Sequence, residues 1–516
     1  MSLTYPANCG APGLKPLAPK TGRGITALVE HYAGWLVLGF SAVYWAATYH
    51  AASTLPLWND EIVTRYMVAL SRAALIEALK AGADGQPPLF FFLTGLAGSN
   101  GSPVGLRLPG MIGMWVAGLC LYALVSRHAS RTSGVFAMLL PFLLGTRPYA
   151  ADARPYGLLL GAVALTCVCW QAAADAPPGT PPRRWLLPAL WIAATFTVSI
   201  SYYGILALAP LGIGELVRWR QKGRPDLPVW AALALSAFPL ALEFPIVRGL
   251  KATLPVFWSR PKLLGSTYQY YQTILEPAAP LAAALLIAAL LTLYFSRNSS
   301  GGSLRLPAAH QIAAVAAFAV LPVMYVLAGL YSGAFVPRYA IAGALGICAG
   351  LAYVISRHRA LAAGCTLLAF AQFVTLEARQ LRKVTPLRTI DLPHTPGTES
   401  LPVVISAPND FIETSYYASP TLAARLYYIA EPELALHYVD TDVVDLVARR
   451  LAQIRPLHVV SYAAFTAAHP RFLVVHWREQ EFGWLLAKLH DDGATLQLIN
   501  LAGDESIYEV VPAGSQ

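Results

Sequence analysis

The sequence predicts a polytopic α-helical membrane protein with a small soluble α/β domain at its C-terminal end. Composition is the first reason, because 56% of the 516 residues are hydrophobic and only 13% are charged. The second is that apolar runs of roughly 17 to 24 residues, long enough to cross a bilayer as helices, recur between residues 33 and 376. The third is a change near residue 385, beyond which charged residues are frequent and long apolar runs end.

The apolar runs predict about eleven transmembrane helices. They lie at 33–52, 104–126, 134–150, 156–172, 185–201, 204–217, 227–245, 280–296, 310–330, 339–356 and 360–376. Segment 62–81 has apolar residues at helical spacing, and segment 87–98 is apolar but too short to span, so both predict interfacial helices. The predicted domains are an N-terminal cytoplasmic tail (1–32), a transmembrane module (33–378) with a first outer loop at 53–103, and the soluble domain (385–516).

Orientation follows from the distribution of Lys and Arg, since short cytoplasmic loops are enriched in them. Five basic connections fall on one side together with the N-terminal tail: those with Arg127/Arg131, Arg183/Arg184, Arg218/Arg220/Lys222/Arg224, Arg297/Arg305 and Arg357/Arg359. The first outer loop and the soluble domain then face the noncytoplasmic side. The style of the motifs indicates a bacterial inner (plasma) membrane, so that side is the periplasm. One basic group departs from the rule by following the last span on the outer side: Arg379, Arg382, Lys383 and Arg388. We interpret these cations as partners of lipid phosphates.

Charge, cysteine and histidine usage argue against several other classes. The net charge of +9 suits cytoplasmic loops and anionic lipid surfaces, so it does not indicate a nucleic-acid partner. Five of the six cysteines fall inside apolar segments and the sixth in the N-terminal tail, so no disulfide framework is predicted. Six of the eleven histidines lie in the C-terminal domain without metal-ligand spacing, and no Gly-rich phosphate loop opens a helix there.

Residues suited to chemistry gather in the first outer loop. Segment 57–61 ends in the adjacent carboxylates Asp60 and Glu61, segment 84–91 leads through two prolines into an aromatic run, and Leu-Arg-Leu-Pro at 106–109 opens the next span. A carboxylate at a water-accessible membrane surface suits a general base that removes a proton from a hydroxyl group. The alternative is that the acidic pair merely caps the helix that follows, because acids favour helix N-termini.

In this order the motifs resemble the first noncytoplasmic loop of the GT-C glycosyltransferases. The nearest branches are the protein O-mannosyltransferases (glycosyltransferase family 39) and the lipid A aminoarabinose transferases. The resemblance covers roughly residues 33–345 and is strongest at 58–110 and 150–160. It implies the GT-C fold and transfer of a sugar from a polyprenyl-phosphate donor to an acceptor protein, lipid A or another glycolipid or glycan.

The resemblance also implies roles for individual residues. Asp60 is carried over as the catalytic base, and Glu61 as a neighbour that supports it or orients the acceptor. Asp152, Arg154 and Tyr156 match an acidic-x-Arg-x-Tyr element, in which the acid lies near the active site, the Arg faces the donor phosphate and the Tyr lines the pocket. The alternative for this element is a plain Asp–Arg pair or a side chain reaching to the interface.

Further cations suit the donor phosphate. Arg338 precedes a span on the outer side in Val-Pro-Arg-Tyr, and relatives have a comparable Arg-Tyr, so Arg338 is implied as a phosphate ligand with Tyr339 in the pocket. A lipid-headgroup anchor is the alternative for Arg338. Loop 246–279 adds Arg260 and Lys262 among aromatic residues, which suits either a lipid-linked sugar or an interfacial belt.

Two more positions complete the predicted pocket. Gln86 stands where many relatives have His before Pro-Pro, so it can hydrogen-bond a sugar but cannot supply a His-based metal or acid function. Arg107, at the start of the second span, is the other residue predicted to line the substrate pocket. No metal site is predicted, and a divalent cation beside Asp60 is left open because the sequence supplies no ligand set for it.

The sequence therefore predicts a membrane glycosyltransferase that transfers a hexosyl or pentosyl group and depends on a polyprenyl-phosphate sugar. Its partners are the lipid-linked donor, the acceptor and membrane lipids, with no nucleic acid and no assigned cofactor. Two alternatives stay open. A transporter or lipid flippase should show paired broken helices and repeat symmetry, and the sequence shows neither. A noncatalytic subunit of a cell-envelope glycan assembly system should tolerate Asp60→Asn.

Overall fold

A helical body precedes a C-terminal α/β domain. The structure is a computed structural model, and it describes residues 21–512 except 100, 254–255, 280–282, 284–286, 288–306, 384, 386, 388–389, 391, 393–396 and 479. The predicted span at 280–296 therefore lies almost entirely outside the described residues, as do Arg297, Arg305 and Arg388.

Long and short helices make up the helical body. In chain order they are α1 (Thr21–His31), α2 (Ala33–Thr54), α3 (Asn59–Val68), α4 (Arg72–Lys80), α5 (Pro88–Ala97), α6 (Pro103–Ser126), α7 (Arg131–Leu139), α8 (Tyr156–Asp175), α9 (Pro181–Ile200), α10 (Ala209–Lys222), α11 (Leu227–Leu235), α12 (Phe238–Leu242), α13 (Phe244–Thr253), α14 (Leu263–Leu275), α15 (Ala309–Ser332), α16 (Gly343–Ser356) and α17 (Arg359–Arg382). Short 3₁₀ turns occur at Leu140–Phe142, Arg147–Ala151, Tyr202–Leu208, Glu276–Ala278 and Pro337–Ala340.

Several of these helices are suited to a bilayer. Within the described residues, four are long and apolar enough to cross it, namely α6, α8, α15 and α17. A fifth is obtained if Leu227–Leu242 and Phe244–Lys251, which meet at an angle of 59°, count as one bent span. Each predicted span inside the described ranges contains one or more helical segments, whereas the number of eleven stays a prediction.

The predicted span at 134–150 is not one continuous helix. α7 ends early, and two 3₁₀ turns on either side of Gly145 replace its second half. A Cβ on Gly145 would lie 2.1 Å from the carbonyl oxygen of Thr273, and the Gly145 N–H donates to the Ile274 carbonyl at 2.9 Å. The helix is interrupted at Gly145, where the backbone packs directly against α14. Residues 150–155 follow this break and connect it to α8.

The first outer loop contains three short helices where two were predicted. Segment 62–81 divides into α3 and α4 because Ser71 starts a new helix, with its Oγ accepting the Ala74 N–H at 3.3 Å. α5 begins at Pro88, since proline suits the first turn of a helix. These helices occupy the interval between α2 and α6 in which the acidic pair lies.

Glycines hold α6 and α8 in direct backbone contact. α6 carries Gly110 and Gly113, and α8 carries Gly157 and Gly161 in Gly-x-x-x-Gly spacing. A Cβ on Gly161 would lie 2.3 Å from the Gly113 carbonyl oxygen, and a Cβ on Gly113 would lie 2.3 Å from the Cα of Leu158. This close crossing fixes where α8 starts, and the acidic-x-Arg-x-Tyr element ends at that start.

Gly161→Ala should therefore lower the free energy of unfolding by about 1–3 kcal/mol, because the added methyl group has no room at the crossing. Gly364→Ala in α17 is the matched control, since a Cβ there meets nothing within 4 Å. The melting temperatures of both variants in one detergent test the difference. Equal melting temperatures would mean that α6 and α8 separate at little cost.

A mixed six-stranded sheet forms the centre of the C-terminal domain. Its strands are β1 (Val403–Ile405), β2 (Leu426–Ile429), β3 (Val459–Val460), β4 (Phe472–Trp477), β5 (Thr495–Ala502) and β6 (Glu505–Val511), in the order β3-β2-β1-β4-β6-β5. β1 to β4 run parallel, whereas β6 pairs antiparallel with β4 and β5. The helices are α18 (Pro408–Tyr417), α19 (Pro420–Ala423), α20 (Pro432–Val439), α21 (Val443–Ile454), α22 (Tyr462–Ala468) and α23 (Leu485–Asp491). The sequence predicts short buried strands at 402–406, 424–429 and 457–461, and these ranges contain β1, β2 and β3, whereas β4, β5 and β6 were not predicted.

The C-terminal domain rests on the helices of the first outer loop. The rings of Tyr66 and Tyr416 have centroids 6.2 Å apart, and the Arg455 guanidinium lies 5.1 Å from the Tyr66 ring centroid. Arg450 Nη1 donates to the Gly82 carbonyl at 2.9 Å. The domain thus lies on the same side of the helical body as the acidic pair.

Candidate active site

Asp60 and Glu61 lie in the first turn of α3. α2 ends at Thr54, the chain runs through Pro56, and α3 begins at Asn59. The first turn of a helix has unpaired N–H groups and the positive end of the helix dipole, so it favours carboxylates. Adjacent helical side chains point about 100° apart, and the two carboxylates therefore meet different surroundings.

Glu61 is fully buried in a two-armed ion pair with Arg107. Arg107 Nε donates to Glu61 Oε1 at 2.7 Å, and Nη2 donates to Oε2 at 2.5 Å. Glu61 also accepts the N–H groups of Ala153 at 2.8 Å and Trp58 at 3.3 Å. The other donors of the guanidinium bind three carbonyl groups where α2 ends, those of Ala52, Leu55 and Pro56.

This pairing bears on the roles predicted for both residues, since it fits a supporting role for Glu61 better than direct contact of either side chain with a substrate. A carboxylate offers about four positions for donors, and all of those on Glu61 are in use. Arg107 is 1% exposed, and each of its N–H groups has a protein acceptor. Neither side chain is available to a substrate, so the pair is a lock between α2, α3 and α6. The helix-capping alternative holds for Glu61, which accepts the Trp58 N–H.

A second buried pair joins Arg154 to Asp84, a residue that was not assigned to the site. Arg154 Nη1 lies 2.7 Å from Asp84 Oδ2 and 3.2 Å from Thr64 Oγ1. Asp84 Oδ1 accepts the N–H of the half-buried Gln86 at 3.0 Å, and this acid before Pro-Pro was the signal that could have found it. Arg154 was predicted to face the donor phosphate. Its charge is instead balanced inside the protein, with Nε 3.8 Å from Asp60 Oδ2.

Asp60 and Arg338 form a third pair that is open to solvent. Asp60 Oδ2 lies 3.2 Å from Arg338 Nη2, and the two side chains are 24% and 23% exposed. Within the described ranges no group donates a well-aligned hydrogen bond to Asp60 Oδ2, and none accepts one from Arg338 Nε. The guanidinium lies over the rings of Trp58 and Tyr156, 5.8 and 5.5 Å from their centroids. Both partners thus keep hydrogen-bonding capacity that the protein does not use.

Asp152 contacts the Asp60–Arg338 pair indirectly, through Trp58. It is buried and accepts a hydrogen bond from the indole Nε1 of Trp58 at 3.2 Å. Burial, together with the charge of Glu61, raises the pKa of the Asp152 carboxyl to about 7, although Arg154 acts in the opposite direction. Because the Trp58 ring lies against Arg338, Asp152 positions that guanidinium through the indole.

Stacked tyrosines lead from Arg338 into the helical body. The rings of Tyr156 and Tyr339 have centroids 6.4 Å apart at an angle of 26°. Tyr203, which was not predicted, stacks on Tyr339 at 5.2 Å and 20°, and its carbonyl accepts the Tyr325 hydroxyl at 2.9 Å. The structure therefore brings the two predicted pocket tyrosines together beside Arg338.

The predicted cations of the 246–279 loop lie at the periphery. Arg260 and Lys262 are exposed, and neither forms an ion pair within the described part of the chain. The neighbouring Ser259 carbonyl accepts the Phe335 N–H at 3.2 Å. This contact places both cations near the segment that carries Arg338, on its solvent side.

Two side chains of the C-terminal domain hold the start of α3. Glu413 Oε1 accepts the Asn59 N–H at 2.8 Å, so a distant carboxylate satisfies one of the free N–H groups of the helix. The Tyr417 hydroxyl lies 2.6 Å from the Leu57 nitrogen, whose N–H it accepts, and 3.3 Å from the Leu57 carbonyl oxygen. No sequence signal pointed to Glu413 or Tyr417, because the contacts join segments 354 and 360 residues apart.

The site offers few ligands to a metal ion. No group of three or more His, Cys, Asp or Glu side chains among the described residues is placed to hold one. Glu61 and Asp84 are occupied by arginines, which leaves Asp60 as the accessible carboxylate. A divalent cation beside Asp60 stays a hypothesis.

Arg107→Met should destabilise the protein by about 3–5 kcal/mol, because Glu61 would remain buried without its counter-charge. Arg260→Gln removes an exposed arginine and should leave the melting temperature unchanged. Thermal unfolding in detergent compares the two. If the Arg107→Met protein has normal stability and only a raised KM for its donor, Arg107 contacts the substrate, as the sequence predicted.

No protein-family model matches the chain, and no curated protein matches it significantly. Solved structures do resemble it. ArnT from Cupriavidus metallidurans in the apo state has a TM-score of 0.52 at 13% identity, covering 92% of this chain and 98% of that one. The same protein bound to undecaprenyl phosphate has a TM-score of 0.51 at 13% identity, with the same coverage of 92% and 98%. The Archaeoglobus fulgidus oligosaccharyltransferase with Zn and sulfate reaches only 0.41 at 14% identity, over 84% and 67%.

The likeness to ArnT extends over nearly the whole of both chains, and so includes the helical body and the C-terminal domain. At 13% identity, this structural likeness is evidence about the fold alone. The resemblance drawn from the first outer loop is confirmed at that level: the chain has the GT-C fold.

Proposed function

We propose that the protein is an integral membrane glycosyltransferase that transfers a sugar from a polyprenyl-phosphate donor to an acceptor hydroxyl. The observation that carries the proposal is the state of Asp60. Of the four carboxylates gathered here, Asp60, Glu61, Asp84 and Asp152, it alone is both accessible and incompletely hydrogen-bonded. The GT-C fold supports the donor class, because ArnT has been solved with undecaprenyl phosphate.

Asp60 is the proposed general base. Its carboxylate takes the proton of the acceptor hydroxyl while the hydroxyl oxygen bonds to the anomeric carbon and the bond from that carbon to the donor phosphate breaks. One in-line displacement of this kind inverts the anomeric configuration. Glu61 cannot take the role because its oxygens are occupied, and Asp152 is turned to Trp58.

Arg338 is the proposed ligand of the departing phosphate. Polyprenyl phosphate leaves with added negative charge, which a guanidinium fork stabilises through two hydrogen bonds. Arg338 lies against Asp60 at 3.2 Å, so turning to a phosphate would remove the cation from Asp60 and strengthen it as a base. Donor binding and base activation are thereby coupled through one side chain.

The other predicted residues take supporting roles in this proposal. Arg154 fixes Asp60 from its buried side. Tyr156 and Tyr339 form an aromatic wall beside Arg338, against which a sugar or an isoprenoid can pack. Arg260 and Lys262 are exposed cations that attract an anionic donor to the entrance. The acceptor belongs to the class of proteins, glycolipids and glycans.

The active site is proposed to face the noncytoplasmic side of a bacterial inner membrane. The basic connections of the sequence support this orientation. The contact between the first outer loop and the C-terminal domain is consistent with it, because both must lie on one side. A lipid-linked donor is accessible on that face, where nucleotide sugars are absent.

A transporter is less well supported. The described part of the chain has one bent membrane span, at the 59° break between Leu242 and Phe244, whereas transporters of this type carry a corresponding break in each half. The arginine–carboxylate pairs also gather beside the first outer loop, at helix ends. Enzymatic transfer explains that position better than passage through the bilayer centre.

Asp60→Asn should reduce kcat/KM by about 10²–10⁴-fold, because the acceptor proton loses its base. The assay follows release of polyprenyl phosphate from a panel of polyprenyl-phosphate sugars by purified protein in detergent. Glu77→Gln is the matched control, since its 72%-exposed side chain belongs to the same loop but not to the site. A melting temperature for each variant separates catalysis from folding.

An unchanged rate in Asp60→Asn would remove Asp60 as the base. Passage of lipid or solute across vesicles that does not depend on Asp60, with no donor turnover, would instead favour a transporter. Absence of both activities in the wild type with every donor and acceptor offered would favour a noncatalytic subunit.

Asp152 should make stability depend on pH in a defined direction. Its pKa is raised from 3.8 to about 7, so the folded state holds a proton that the unfolded chain releases between those values. The free energy of unfolding should therefore fall as pH rises from about 4 to about 7. Asp152→Asn keeps an acceptor for Trp58 and should flatten this part of the curve. Melting temperatures from pH 4.5 to 8 test it, and parallel curves for wild type and Asp152→Asn would refute it.

A further inference from the structure

A cavity of about 240 Å³ lies away from Asp60, between α2, the 3₁₀ turn Arg147–Ala151 and the end of α17. Its inner wall is apolar and includes Tyr44, Ala47 and Phe142. Its outer wall carries Arg147 and Lys383. The cavity is therefore amphipathic, with cations at the end nearer the C-terminal domain and carbon atoms toward the helical body.

Arg147 is held in place but not saturated. Its Nε donates to Glu377 Oε1 at 2.9 Å, and its Nη2 donates to Glu377 Oε2 and to the Leu376 carbonyl, both at 3.3 Å. Nη1 has no acceptor among the residues that the structure describes. Glu377 is only 5% exposed, so it holds the Arg147 guanidinium in a fixed position. The Nη1 group of Arg147 remains available to a further acceptor.

Lys383 adds a positive charge that no described residue neutralises. It is exposed, as are Arg379 and Arg382 on the preceding turn of α17, and none of the three forms an ion pair within the described ranges. Glu377 balances Arg147, so the cavity keeps a net charge of about +1 from Lys383. If this side is noncytoplasmic, as proposed above, cations here run against the usual bias of membrane proteins.

We propose that this cavity is a second binding site, for the phosphate-bearing headgroup of a lipid from the leaflet on the Asp60 side. A phosphate at its outer end can accept hydrogen bonds from Arg147 Nη1 and from Lys383. The apolar wall suits the glycerol and the first methylenes of the acyl chains. The volume is below the range of about 300–1,000 Å³ that holds a drug-sized ligand, which fits a headgroup entering from the membrane.

The cavity is separate from the proposed donor site but shares a wall with it. Leu55 lines the cavity, and its carbonyl accepts Arg107 Nη1 at 2.8 Å, so the Glu61–Arg107 lock stands between the two. Ala151 lines the cavity and directly precedes Asp152. A lipid bound here would touch the back of the active site without reaching Asp60.

The test measures binding of phosphatidic acid to the purified full chain by native mass spectrometry, after the fold of each variant is checked by its melting temperature. Diacylglycerol with the same chains lacks only the phosphate, and inorganic phosphate serves as a competitor. Lys383→Gln should weaken phosphatidic acid binding about tenfold. Arg382→Gln removes the same charge from an exposed neighbour that does not line the cavity, and its affinity should stay within about twofold of the wild type.

The double variant Arg147→Gln with Glu377→Gln leaves the net charge unchanged and should also weaken binding about tenfold. Equal losses in Lys383→Gln and Arg382→Gln would overturn the proposal in favour of a general surface-charge effect. Equal affinity for diacylglycerol would overturn it too. Displacement by millimolar inorganic phosphate, with the same sensitivity to Lys383→Gln, would assign the cavity to a free anion and overturn the lipid assignment.

Discussion

The buried ion pair of Glu61 and Arg107 is the interaction on which the rest of the site depends. One guanidinium joins the last carbonyls of α2 to the first turn of α3 from its own place on α6. The same carboxylate holds the Ala153 N–H and so fastens the turn that carries Asp152 and Arg154. Such a pair contributes little net stability over an apolar replacement, yet removing one partner costs several kcal/mol. Its effect is therefore to fix the geometry of the junction between α2, α3 and α6 and of the turn that carries Asp152 and Arg154.

Around that lock, three arginines meet three carboxylates in pairs of increasing exposure. The Arg107–Glu61 side chains are 2% and 0% exposed, those of Arg154–Asp84 are 7% and 4%, and those of Arg338–Asp60 are 23% and 24%. The Arg107–Glu61 pair is fully hydrogen-bonded, whereas in the Arg154–Asp84 pair the buried Nε of Arg154 has no hydrogen-bond acceptor among the described residues. The outer pair is incompletely hydrogen-bonded, and in the proposed function it exchanges its partners for an acceptor hydroxyl and a phosphate. The pairing of each arginine with a carboxylate lowers the cost of placing the cluster beside a membrane.

Local patterns in the sequence identified the parts of this site, whereas tertiary contacts decided what each part does. Asp60, Asp152, Arg154 and Arg338 were found because they lie in short motifs beside apolar runs. The sequence could not tell which of two adjacent carboxylates faces inward, so it left open whether Glu61 supports Asp60 or orients the acceptor; its burial favours the first. Arg107 was predicted to line the pocket, because the sequence does not show that this side chain pairs with Glu61, 46 residues away. Hydropathy located the spans but not the break at Gly145, which depends on a backbone contact with Thr273.

The contact of Glu413 and Tyr417 with the start of α3 bears on the order in which the molecule matures. A ribosome releases Asp60 long before residues 413–417, so during synthesis the N–H groups of Leu57 and Asn59 gain these acceptors only after the C-terminal domain folds and docks. A chain interrupted before residue 413 would possess every residue of the proposed chemistry without these two contacts at the start of α3. The C-terminal domain thus makes the order of the proposed active site depend on a chain that has been synthesised past residue 417.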